Sequence, residues 1–158
     1  MWREIASDFM VAPVFPLRDR TERVVIPNHK LMMVPVKSKD EALYLATMLN
    51  ATISRYTVLS YTVATQISTH VLNNVRVPQY DDTNNVHRSI AKLGARAVDA
   101  ASSNSVDALD AVEVEIDEVT RSVWGASASE VEILRGALSE IIEVLSQAAK
   151  SEDEDDDS

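Results

Sequence analysis

The 158-residue chain has no cysteine, three glycines and only eight aromatic residues. The missing cysteines exclude disulfides, thiolate metal sites and cysteine nucleophiles. Three glycines leave no glycine-rich loop of the kind that cradles a phosphate-bearing or methyl-donating cofactor. No apolar run approaches the roughly 18 residues of a membrane span, and the first residues carry no signal-peptide pattern. A soluble, cytoplasmic protein without a membrane partner is therefore expected. His29, His70 and His87 are too widely spaced for a local metal motif, so they are read as polar loop residues and no metal or other cofactor is expected.

What is present is an ordinary globular composition, 46% hydrophobic, enough for a sizeable core. The length suits one domain, or a small domain with a helical appendage. The net charge of −10 hides an asymmetry. Residues 1–100 hold 12 Lys/Arg against 9 Asp/Glu, net +3, whereas residues 101–158 hold 3 against 16, net −13. Phosphate contacts are local, so the first hundred residues suit DNA and the last fifty-eight repel it.

The stretch from Ser38 to Pro78 organises the reading. Ser38-Lys39-Asp40-Glu41 is a capping-box pattern, in which Glu41 should reach back to the Ser38 N–H. Ala42, Leu45, Ala46 and Leu49 then mark one face of a helix that should stop near Asn50. Residues 52–70 mix a loose helical face (Ile53, Tyr56, Leu59, Val63) with β-branched density, and a short helix to about Ser60 followed by irregular chain is expected. Val71 to Val77 reads as a short alternating run halted by Pro78. Upstream, Val24–Ile26 and Leu31–Val36 are strand-length apolar runs around a Pro27-Asn28 turn, which predicts a hairpin. Met1 to Met10 fits either a strand or a helical turn, and its start in mid-pattern suggests a longer protein truncated upstream.

The second half reads as helical. Asp82-Thr83-Asn84 offers N-caps for a helix through Val86, Ile90, Leu93 and Ala97, with Arg88, Lys92 and Arg96 along another face. After a polar break at 102–105, Leu109, Val112, Ile116, Val119 and Val123 form a heptad-like seam, closed by Gly125 as a left-handed cap. Ser127 and Glu130 form a second capping box, ahead of a seam of Leu134, Leu138, Ile141 and Leu145. Two such helices joined by a short connection predict an antiparallel hairpin. Ile133, Ile142 and Val144 lie off the second stripe and need another partner, expected for Ile142 within the chain itself. Glu113, Asp117 and Glu118 straddle the first seam, as solvent-facing positions would, and no catalytic residue is nominated. Residues 151–158 hold six consecutive or near-consecutive acids, a disordered tail by composition.

The expected fold is α+β: a mixed α/β unit over 1–80, a helical region over 81–150 ending in the antiparallel hairpin, and the disordered acidic tail over 151–158. Within it, Arg18, Arg20 and Arg23 either hold phosphates and guanine edges or form a solvated loop balanced by Asp19 and Glu22. Ser60, Tyr61, Thr65, Gln66 and Thr69 suit base-edge and phosphate hydrogen bonds, although Ser/Thr-rich segments are more often solvated or self-capping.

Three stretches, Val24–Lys30, Glu41–Asn50 and His70–Pro78, in that order, resemble the region C-terminal to the catalytic domain in large adenine-specific DNA methyltransferases, many of them fused restriction–modification proteins. There a strand ending in Ile-Pro, an "EALYLxxLLN" helix, a Ser/Thr-rich stretch and a second strand build part of the target-recognition domain. Glu115–Val119, Trp124-Gly125 and Ser129-Glu130 are similar to the ending of such proteins, with Trp124 where Tyr is usual. The resemblance spans roughly residues 1–135. The family's glycine-rich donor loop and Asn/Asp-Pro-Pro-aromatic motif are missing from this chain. It thus implies a recognition or accessory segment that is not itself an enzyme, with double-stranded DNA and a methyltransferase catalytic subunit or other defence-system protein as partners. Candidate DNA contacts are Arg18, Arg20, Arg23, His29, Lys30, Arg55, Tyr61, Thr65, Gln66 and His70. The rival reading is an interaction module that binds a partner protein through its helical hairpin.

Overall fold

Trp2 begins the fold by burying its ring and sending its indole N–H to the Ile67 carbonyl, 3.2 Å away. Its strand β1 (Trp2–Arg3) pairs antiparallel with β2 (Leu31–Met32), Trp2 opposite Met32. The same segment is flanked on its other edge: Ile67 N–H donates to Glu4 O at 2.6 Å and Ala6 N–H to Thr65 O at 3.0 Å. The structure, a computed structural model, describes residues 1–14, 28–62 and 65–156. The expected strand at 24–26, and hence the hairpin it would form with Leu31–Val36, lies outside those residues. Within Leu31–Val36 only the first two residues are strand.

Helix α1 (Lys39–Asn50) starts where the capping box places it, with Glu41 N–H donating to Ser38 Oγ at 3.1 Å. The return bond differs by one residue, since Glu41 Oε2 accepts from the Lys37 N–H rather than that of Ser38. At the far end Asn50 imitates a peptide group. Its Oδ1 accepts from Val11 N–H (2.7 Å) and its Nδ2 donates to Val11 O (2.9 Å), holding the N-terminal segment against α1. After a single extended residue, Ala51, helix α2 (Thr52–Ser60) runs to the expected end. Thr57, Ser60 and Thr62 turn their hydroxyls onto carbonyls four residues back, the self-satisfied outcome weighed for this stretch. The Val71 run is a correction: Val71–Asn74 is a 3₁₀ turn and not a strand. Buried Val71 docks among Phe9, Val58, Leu59 and Ile67, a packing that tertiary context sets and alternation does not report.

Helix α3 (Asn85–Ser102) is capped by Asn84, whose Oδ1 accepts from Val86 N–H at 2.8 Å. It crosses α1 at close range because Gly94 has no side chain: a Cβ there would overlap Thr47 Oγ1 and lie 2.9 Å from the Leu43 carbonyl oxygen. His87 is a second correction. It is buried on α3 rather than looped out, against Tyr44 and Tyr80, with its Nδ1 accepting from Asp81 N–H at 3.1 Å. Burial pushes the Tyr44 hydroxyl up to about 12, and that hydroxyl donates to Pro78 O at 3.0 Å.

Helix α4 (Val106–Trp124) ends on Gly125 in the left-handed conformation (φ 69°), and Ala126 N–H closes the cap onto Arg121 O. Helix α5 (Ala128–Asp156) starts on the second capping box, with Ser127 N–H to Glu130 Oε2 at 2.8 Å and the Glu130 N–H to Ser127 Oγ. It continues through Asp156, so the first six residues of the tail expected to be disordered are helical.

The expected hairpin interface is corrected as well. The α4 seam is occupied elsewhere: Val112 and Ile116 pack with Ala51 and Leu93, and Val119 and Val123 pack on the Leu43–Tyr44–Met48–Ile90 cluster. The α5 seam goes to α2 and the N-terminal segment, where Leu138, Ile141 and Leu145 join Trp2, Phe9, Val58 and Leu59. α4 thus packs on α3 and α5 on α2, each far more than on the other. A seam buries itself on whichever apolar surface is largest and nearest, and α3 and α2 each offered more than a bare second helix. Ile142 packs inward as expected, whereas Ile133 and Val144 are 71% and 64% exposed. The result, among the described residues, is a mainly helical α+β fold with one small antiparallel sheet.

Candidate functional site

Two regions carry chemistry. The first is the N-terminal sheet, where the DNA candidates cluster by sequence. Lys30 and Gln66 are exposed on the two chain segments that flank residues 2–6. The Lys30 carbonyl accepts the Glu4 N–H at 3.0 Å, and Gln66 bridges Ile5. Arg3, exposed on β1, stands between them. His29 is exposed in the turn before β2, Tyr61 caps α2 with its ring in solvent, and His70 is exposed just before the 3₁₀ turn. Two candidates sit differently. Arg55 is mostly buried and ion-paired to Asp8 at 2.6 Å, and Thr65 is buried with its carbonyl committed to Ala6. Arg18, Arg20 and Arg23 lie outside the described residues. On α3, Arg96 makes a two-pronged pair with Glu115 of α4 (2.6 and 2.8 Å), so the basic stripe there is partly spent on holding α3 to α4.

The second region is a cleft that opens where α4 and α5 fail to pair. It has a volume of about 760 Å³, walled by residues of α1, α3, α4, α5 and the N-terminal segment. At its floor is Asp117, 6% exposed, which corrects its reading as a solvent-facing seam neighbour. The N-cap of helix α2 is Ala51, whose methyl cannot accept a hydrogen bond. Asp117 supplies the cap from α4 instead: Oδ1 accepts from Thr52 N–H (2.9 Å) and Oδ2 from Thr52 Oγ1 (2.7 Å). A carboxylate there also meets the positive end of the α2 dipole. Arg135 of α5 completes the group, donating from Nη2 to Asp117 Oδ2 at 2.8 Å. One carboxylate thereby ties together the α1–α2 junction, α4 and α5.

Higher in the cleft, half-buried Glu113 faces Arg55, while Asp110 lies exposed at the rim. Burial pushes the Glu113 carboxyl above its ordinary range, and Arg55 opposes that shift without cancelling it. Arg55 is itself incompletely served: its Nε, and Oδ1 of its partner Asp8, are buried without a hydrogen-bond partner among the described residues. Sequence reasoning missed this cluster, which is assembled from four separate segments. A signal was nevertheless present, since a helix starting after Ala51 with no Ser, Thr, Asp or Asn at the cap demands a cap from elsewhere.

Among the described residues no group of His, Asp or Glu is placed to hold a metal ion. Among the same residues no helix is long and apolar enough to cross a membrane. No family model, curated protein or solved structure matches the chain.

Proposed function

We propose that the chain is a non-catalytic recognition or accessory segment of an adenine-specific DNA methyltransferase or restriction–modification system, supplying target contacts or docking while methyl transfer occurs on other sequence. The observation that carries the reading is the placement of Arg3, Lys30 and Gln66 on adjacent segments of the N-terminal sheet, exposed and in the positively charged part of the chain. With Arg55 held by Asp8 and Thr65 buried, the contact set narrows to His29, Lys30, Tyr61, Gln66, His70 and the three arginines at 18, 20 and 23. A net charge of +3 beside −13 neutralises few phosphates, so binding is weak and its salt dependence shallow. Fluorescence anisotropy with a duplex across a salt series tests this. The Lys30→Ala/Gln66→Ala variant, and separately the triple Ala variant at Arg18, Arg20 and Arg23, should bind less tightly with unchanged circular dichroism. Unchanged affinity in both would remove the DNA reading. Labelled methyl donor incubated with DNA and this chain should transfer nothing above background.

A second reading, a module that binds a partner protein, is supported by Ile133 and Val144 standing in solvent on α5. It predicts that Ile133→Asp abolishes self-association or partner binding in sedimentation, an outcome the DNA reading does not require.

A further inference from the structure

The cleft between α3, α4 and α5 is too large to be a packing defect and has a lopsided charge inventory. Its volume of about 760 Å³ lies within the roughly 300–1,000 Å³ range of small-molecule sites. Leu109, Val98, Leu138 and Ile142 supply apolar wall. Both arginines that reach it are ion-paired, Arg55 with Asp8 and Arg135 with Asp117 and Glu132, although Arg55 Nε keeps no hydrogen-bond acceptor among the described residues. Glu113 and Asp110, one turn apart on α4, have no ion pair or hydrogen bond among the described residues.

An anion entering here would find only the single Nε–H of Arg55 unmatched and would have to sit beside the unpaired carboxylates of Glu113 and Asp110. A neutral apolar guest would leave Glu113 half-buried and unpaired, the costly state for a carboxylate. A cation removes that cost, and a short apolar stem behind it covers the walls. We propose that this cleft binds a small organic cation, an ammonium or guanidinium group on an apolar stem, with Glu113 as the primary counter-ion and Asp110 as the second. The groups facing Glu113 are consistent with one vacancy for positive charge: Arg55 from α2 and Asp8 from the N-terminal segment, themselves paired, with Asp110 and Asp117 from its own helix. The burial that raises the Glu113 titration marks the same unmet need. The inference goes beyond DNA recognition, and its test contains no DNA, so either can fail alone.

Isothermal titration of the full chain with n-hexylammonium chloride, n-hexanol and sodium hexanoate at low salt reads the charge preference directly. Hexylammonium should saturate one site with a dissociation constant on the order of 1 mM, as suits a ligand of seven heavy atoms. Hexanol and hexanoate should bind at least about tenfold more weakly, since one unmatched charge contact decides the difference. Glu113→Gln, which keeps the side-chain shape, should weaken hexylammonium about tenfold and leave circular dichroism unchanged, and Asp110→Asn on the exposed rim should weaken it less. Ala101→Phe, an exposed lining position on α3, should block the site from the opposite wall. A capped Leu-Arg-Leu peptide distinguishes sources: tighter binding than hexylammonium assigns the cation to a partner's side chain, and weaker binding to a free metabolite. Equal binding of hexanol and hexylammonium, or undiminished binding by Glu113→Gln, overturns the proposal.

Discussion

Helices α4 and α5 carry similar apolar seams, yet one is a core element and the other a strap. α4 has α3 along its seam, the α1–α2 junction at Ile116, and a buried carboxylate that reaches across to cap α2. α5 lies on α2 and the N-terminal segment by one face and leaves Ile133 and Val144 in water on the other. A seam records that a helix has a sticky side. It does not record what that side adheres to. The two helices part company beyond the Asp117–Arg135 bridge, and the cleft is the space between them.

The sharpest way to break this contrast is along α5 itself. Ile142→Asp should unfold the protein, because it forfeits the burial of an isoleucine and brings a carboxylate against the core, together about 4 kcal/mol or more. Ile133→Asp, about two and a half turns earlier and on the exposed side, should change stability by no more than about 0.5 kcal/mol. Denaturant melts of the two variants separate an internal face from an external one. Next in size is the α4 carboxylate: Asp117→Ala should cost about 3 kcal/mol by stranding the Thr52 N–H and hydroxyl and half-exposed Arg135. Asp117→Asn should cost less, since its amide oxygen still accepts one of those bonds.

Two glycines compare the packing of α3 with that of α5. Gly94→Ala should destabilise by about 2 kcal/mol, because the added methyl meets the Leu43 carbonyl and forces α1 and α3 apart. Gly136→Ala meets nothing within 4 Å and should stabilise by about 0.5–1 kcal/mol through helix propensity.

The smallest effect is the pH dependence of the cleft. Burial raises the Glu113 titration in the folded state, so its contribution is most favourable below the ordinary carboxylate range and is lost as pH rises through the raised value. Asp81, Glu115, Glu118 and Glu130 run the other way. Hydrogen bonds from Thr83, Arg96, Arg121 and Ser127 respectively lower them, so their contribution is present above that range and is lost on acidification. Glu113→Gln should therefore melt higher than the parent at pH 7 and together with it near pH 4, as read by thermal scans across that interval.

Helix ends were legible in the sequence because their causes are local. Ser38, Asn84, Gly125 and Ser127 each act within a few residues, and each occupies the terminus it announced. The neighbours of each helix were not legible, because they depend on which surfaces compete for a seam. His87, Asp117 and Val71 were misread for that reason: polar pattern or alternation suggested solvent or strand, and a distant element supplied a burial site. Of the candidate DNA contacts, exposure of His29, Lys30, Tyr61, Gln66 and His70 follows from their turn and helix-end positions. The pairing of Arg55 with Asp8, 47 residues away, does not.

The central claim is that α5 is held by α2 and not by α4. A double-mutant cycle between Leu145→Ala and Leu59→Ala, set against one between Leu145→Ala and Val112→Ala, tests it most directly, with stabilities from urea unfolding. The account predicts a coupling of about 0.5–1 kcal/mol for the first pair and none beyond error for the second. Coupling confined to Leu145 and Val112 would contradict it, returning the two seams to each other and closing the cleft.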